Sequence, residues 1–160
     1  MPIPPHMKKI LIFGFIVFAV AFKSHAQEYR IVTTIESIVP AGLGRSRILD
    51  HKTPEDYKSF TTERTDGKKS EQADIRRDDV RIENFEETKL LNFFSLGGIN
   101  FQNVSSNDAV VSSKLSEMAS EGWELVFVTS GVESDAGERD GNGIFITRYV
   151  FKRLLTSASK

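Results

Sequence analysis

The sequence predicts an α+β domain: an antiparallel sheet of about four strands with one helix packed on one face. Three observations predict it. Val111, Leu115, Met118 and Ala119 fall at helical spacing, and their run stops at Glu121-Gly122. The chain then passes directly into Trp123-Glu124-Leu125-Val126-Phe127-Val128, which alternates like a strand. Beyond a turn-rich loop, Ile144 to Lys152 alternates again, so the last two strands make a hairpin.

Taken in order, the chain opens with Met7-Lys8-Lys9, a short basic segment. Met1-Pro2-Ile3-Pro4-Pro5-His6 adds nothing to it, so either Met1 or Met7 serves as the start. Ile10 to Phe22 is a 13-residue run, apolar apart from Gly14. As a helix it spans about 20 Å, short of a ~30 Å hydrocarbon core. Ser24-His25-Ala26 puts small residues before Gln27. Residues 1–26 therefore read as a secretory signal peptide cleaved before Gln27. The expected product is an exported chain, periplasmic or secreted, with no stable membrane span after cleavage.

Residues 27–160 are expected to form a single domain. Glu28 to Val39 is the first strand. Tyr29, Ile31, Thr33 and Ile35 alternate with Arg30, Val32, Thr34 and Glu36, and β-branched residues dominate. Pro40 and Ala41-Gly42-Leu43-Gly44 end it. Arg45 to Leu49 suits a short second strand.

Asp50 to Glu87 carries dense charge of both signs and little apolar periodicity. It reads as an exposed, charged excursion, a long hairpin with Asp66-Gly67 or Asp78-Asp79 near its tip. Thr88 to Leu96 suits a strand, and Gly97-Gly98 interrupts it. Ile99 to Val104 alternates apolar and polar, as a strand or extended chain does. Ser105, Ser106 and Asn107 are good N-cap types for the helix, with Asp108 in its first turn. Gly122 fits the left-handed position just past the helix, and with Trp123 it forms a structural corner. The strand after it puts Trp123, Leu125 and Phe127 on one face and Val126 and Val128 on the other. In the last strand Phe145, Thr147, Tyr149 and Phe151 share a face. The tail from Thr156 is small and polar.

Composition excludes several chemistries. The chain has 160 residues, 39% apolar and 27% charged, which is enough for one packed core and argues against wholesale disorder. There is no cysteine, so thiol catalysis, disulfides, iron–sulfur clusters and Cys-based zinc sites are absent. Of three histidines only His51 lies beyond residue 26, too few for a His-based zinc site. Ser-His-Asp catalysis would rest on His51 alone, in a charged loop. Residues 1–26 hold Lys8, Lys9 and Lys23 and no acid, which leaves the remainder mildly acidic. Such a balance gives no pull toward nucleic acid. No cofactor is implied.

Glu121-Gly122-Trp123-Glu124-Leu125-Val126, followed by Tyr149-Val150-Phe151-Lys152-Arg153, resembles the small bacterial DUF4177 family. The family pattern has a strand near the N-terminus, a helix ending in a Glu-Gly-Trp-Glu-Leu-like run, and a final strand with Tyr/Phe-x-Phe-Lys-Arg. Tyr29–Val39 would be that first strand. About half of the chain beyond residue 26 matches, and the charged stretch at about 50–87 would be an insertion. The resemblance implies a fold and supplies no catalytic residues.

Three candidate sites emerge. Gly42-Leu43-Gly44-Arg45-Ser46-Arg47 offers two glycines whose backbone amides could approach an anion, and two arginines for charge-assisted contacts. The anion-binding set is Gly42, Gly44, Arg45 and Arg47. It lacks the third glycine of a dinucleotide fingerprint and the Gly-Lys-Ser/Thr of a P-loop. Glu133, Asp135, Glu138, Asp140 and Asn142 are hard oxygen ligands in one loop, without the spacing of an EF-hand, and read as a solvated hairpin loop. Phe93, Phe94, Leu96 and Trp123 suit a core, or a binding surface if exposed.

The leading expectation is a non-enzymatic binding or assembly module for an unknown protein or small ligand, with self-association left open. The alternative is a small-ligand or anion sensor, or an enzyme, using the Gly42–Arg47 loop with carboxylates such as Glu36 or Asp50. An enzyme should show a concave pocket where Arg45 or Arg47 meets an acid. A binding module should show exposed aromatics or an open sheet edge.

Overall fold

The computed structural model describes residues 26–37, 46–95, 97–132 and 143–155. Its strands are β1 (Gln27–Ser37), β2 (Arg47–Asp50), β3 (Arg64–Thr65), β4 (Lys69–Ser70), β5 (Glu86–Lys89), β6 (Phe94–Ser95), β7 (Gly98–Ile99), β8 (Glu124–Val132) and β9 (Ile144–Leu154). Among the described residues the α-helices are a single turn, α1 (Arg77–Val80), and the long α2 (Phe101–Ser120). The fold is α+β, with a five-stranded antiparallel sheet in the order β5-β2-β1-β9-β8. Tyr29–Arg153 forms one compact unit. Ala26–Glu28 and Leu154–Leu155 belong to a second unit made of the chain ends, in which the Leu155 amide donates to the Ala26 carbonyl at 2.9 Å.

The core is Val32, Ile48, Leu90, Met118, Trp123 and Phe151, with Val111, Leu115 and Tyr149 packed against it. Alternation along β1 turns Arg30, Val32 and Thr34 toward this core and Tyr29 and Ile31 outward; the last two are 61% and 49% exposed. In β2, Ile48 and Asp50 are both buried, and they pair with Thr34 and Val32 of β1. In β9, Phe151 and Tyr149 share the inward face, as the pattern predicts.

The helix-to-strand corner forms as expected. Gly122 has φ +83°. The Gly122 amide donates to the Ala119 carbonyl and the Trp123 amide to the Met118 carbonyl, both at 3.0 Å, which is a Schellman closure. It drops Trp123 directly onto Met118 in the core. The Asp66-Gly67 turn also forms, closing the β3–β4 hairpin with φ +52° and +65°. Asp78-Asp79 is no hairpin tip; both residues sit in α1.

Four expectations need correction. The helix does not start near Asn107. It starts at Phe101, capped by Asn100, whose side chain accepts from the Asn103 amide at 3.1 Å. Asn107 is 2% exposed and does core work instead: it accepts from the Leu91 amide at 2.8 Å and donates to the Leu91 carbonyl at 2.7 Å. Second, Leu125 and Phe127 do not share a face. A β-bulge between them shifts the register, so Leu125 opposes Phe151 and Phe127 opposes Val150. Third, the stretch Thr88–Leu96 is not one strand. β5 ends at Lys89, and Leu91 is held by Asn107 rather than by a neighbouring strand. Ala119 is exposed, so the helix's inward face is carried by Val111, Leu115 and Met118.

Candidate functional site

Gly42, Gly44 and Arg45 lie outside the described residues, as do Glu133, Asp135, Glu138, Asp140 and Asn142. Arg47 is described. Its Nη1 lies 2.7 Å from Glu87 Oε1 across the β2–β5 pair, with both side chains part-exposed. It alternates away from Ile48 and Asp50, so it faces the side of the sheet opposite the helix. Ser46, inside the same run, is buried and serves the fold: its Oγ accepts from the Ser37 amide at 3.0 Å and donates to Asn92 Oδ1 at 2.8 Å.

The densest chemistry lies on the other face of β2. Asp50 is 3% exposed. Arg30 grips it in a two-point fork, Nε to Oδ1 at 2.9 Å and Nη2 to Oδ2 at 2.6 Å. Lys114 Nζ lies 2.9 Å from Asp50 Oδ2 and 2.7 Å from Glu117 Oε2. Arg30 also faces Glu121, at 3.6 Å. Burial pushes the Asp50 carboxyl up, but its hydrogen bonds to Lys114 and Arg30 and their charges outweigh burial and hold it below the ordinary carboxylate range. Burial likewise pushes Lys114 down, and Asp50 and Glu117 reverse this and raise it. An acid that stays ionised and an amine that stays protonated are both poor proton-transfer groups at neutral pH. The cluster is a built strut in which each cation bridges two carboxylates.

Two hollows flank the strut. One, about 310 Å³, is lined by Asp50, Lys52, Thr53 and Glu83–Glu86. The other, about 500 Å³, lies between α2 and the β2–β5 pair, lined by Ile48, Thr88, Ala109, Val110, Ser113, Lys114 and Glu117. Neither brings Arg47 to an acid. His51 reaches only Glu55, at 4.0 Å. No group of three or more potential metal ligands exists among the described residues.

Trp123 is 5% exposed, with the Arg153 guanidinium 4.2 Å from its ring centre and that of Arg30 at 5.8 Å. Its indole Nε1 is buried and makes no hydrogen bond. Phe93 meets Phe145 edge-on, with centroids 5.6 Å apart, so these aromatics pack on one another.

The sheet's two ends differ in kind. β5 is four residues, Glu-Glu-Thr-Lys, and its acids are paired: Glu86 with Lys52 at 2.6 Å and Glu87 with Arg47 at 2.7 Å. β8 is nine residues, and every one is exposed. From Leu125 to Val132 it carries neither a charge nor a proline. Phe127 and Val132 are 62% and 60% exposed. The sequence predicts a strand over Trp123–Val128. Its position at the end of the sheet depends on strand order, which no local pattern encodes.

No family model matches the chain, and no curated protein or solved structure matches it. No helix among the described residues is long and apolar enough to cross a membrane.

Proposed function

We propose that this protein is a small exported, non-enzymatic module that binds or assembles through the β8 edge of its sheet. One observation carries the reading: the contrast between a short, charged, ion-paired edge and a long, exposed one that is uncharged from Leu125 to Val132. Unpaired strand amides and carbonyls template the addition of another strand, and natural edges are normally blunted by charge. β5 is blunted in that way and β8 is not. The uncharged side chains of β8, Phe127 above all, add apolar contact to the backbone row.

The cleaved signal before Gln27 and a kinship to the DUF4177 family belong to the same proposal. The run Glu121 to Val126 at the Schellman corner supports the kinship. The alternative, an anion sensor or enzyme built on Gly42, Gly44, Arg45 and Arg47, is not favoured, because Arg47 is engaged by Glu87 on an open sheet face.

A photo-crosslinking residue at Phe127 tests the docking edge in the expressing cell, with the same residue at Lys89 on β5 as comparison. A discrete protein adduct at 127 and none at 89 is expected. No adduct at 127, or equal yields at both, would sink the reading. Intact mass of the exported chain tests the cut, and any start other than Gln27 refutes it.

A further inference from the structure

We infer that the occupant of the β8 edge is β8 of a second copy, paired antiparallel about a twofold axis. This rests on the docking-edge reading above and names its partner.

Among the described residues no strand pairs with the outer side of β8, and such a row of backbone donors and acceptors is satisfied by another strand and not by a helix surface. The chemistry of that strand is constrained by β8 itself. Between Leu125 and Val132 β8 itself offers a charged strand no counter-charge, and the one charge directly across from this stretch is Arg148, opposite Thr129 on β9. The fitting partner is uncharged, β-branched and aromatic. β8 has this composition: Val126, Phe127, Val128, Thr129 and Val132. In twofold antiparallel pairing each residue opposes a residue of the same segment, so no like charges meet. The one charge on the strand, Glu124, sits at its end and is held by Lys152 at 3.4 Å.

The bulge between Leu125 and Phe127 sets the limits of the seam. Beyond it the β8–β9 register is regular from Phe127 to Val132, and this is the stretch that offers a flat, regular edge. Phe127 lies on the face of Val150, and Val128 on the face of Tyr149, so pairing covers apolar side chains on both sides of the sheet. The assembly also has a built-in stop. A second open edge would let copies add without end, but β5 is charged and ion-paired. Like-to-like pairing of β8 therefore closes at two chains.

Sedimentation of the purified protein over a range of concentrations tests this. The expected result is a reversible monomer–dimer equilibrium with nothing larger. Phe127→Glu with Thr129→Glu places four added carboxylates along one seam, and should raise the dimer dissociation constant by at least about tenfold. Both sites are exposed and Thr129 faces Arg148 across the β8–β9 pair, so an acid there meets a cation and the melting temperature of the monomer should hold. A readout that needs no variant is amide hydrogen exchange: β8 amides should slow as concentration rises, while β5 amides do not. A monomer up to millimolar concentration, a dimer indifferent to the two glutamates, or open-ended assembly would each overturn the proposal. If Phe127 crosslinks to a different protein while the purified chain stays monomeric, the docking edge survives and self-pairing falls. If Phe127 crosslinks to nothing, both fall.

Discussion

The Lys114 ammonium lies 2.9 Å from the Asp50 carboxylate, and this contact fastens the long helix to the second strand of the sheet. Arg30 completes the joint from the neighbouring strand. Asp50→Ala leaves two cations facing a carboxylate that is gone, with Lys114 keeping only Glu117. Breaking a buried ion pair from one side costs about 3–5 kcal/mol. Urea denaturation should show a loss in that range, and a loss below about 1 kcal/mol would refute the strut.

The strut also fixes a pH profile. Asp50 is held below the ordinary carboxylate range, so its contribution is complete above about pH 4, the unfolded value, and is lost as pH falls through the lower folded value. Lys114 is raised, so its contribution is complete below about pH 10 and fades as pH rises through the higher folded value. Melting temperatures should therefore fall off at both ends. Asp50→Asn should flatten the acid limb, and Lys114→Met the alkaline limb.

Asn107 satisfies both backbone groups of Leu91, and its amide nitrogen also reaches Glu36 Oε1 at 3.1 Å. Asn107→Leu keeps the bulk and strands a buried donor and acceptor. Each stranded group costs about 1–3 kcal/mol. The variant should lose about 2 kcal/mol or more by chemical denaturation, and Leu91 should gain amide exchange before the sheet does.

Gly122→Ala isolates backbone strain, because an added Cβ meets nothing within 4 Å while φ stays at +83°. The cost should be about 1–2 kcal/mol in thermal melts. Gly122→Asn should cost less, since asparagine tolerates that conformation better. Equal losses would point to a different cause.

The corner at Gly122, the β8–β9 hairpin and the Asp66-Gly67 turn were legible in the sequence because each depends on residues near in the chain. The helix start was not. Ile99 to Val104 alternates over six residues, too few to separate a period of 2 from one of 3.6, and Ser105, Ser106 and Asn107 offered caps that outcompeted Asn100. The strut was hidden differently. Arg30 falls in phase with Val32 and Thr34, and Lys114 in phase with Val111 and Met118, so the patterns held an inward charge on each element. Only strand pairing brings those charges to Asp50. Of the candidate site residues, Arg47 is part-exposed and paired, while the exposed edge at Phe127 required knowing that β8 ends the sheet.

Trp123 is the sole tryptophan, it stands one residue before β8, and its ring lies against Arg153. Its fluorescence is therefore an unlabelled gauge wired to the edge. Anything that straightens or tugs the strand displaces the indole relative to that guanidinium, and the emission registers it. The protein thus carries its own optical probe for titrating whatever sits down beside it.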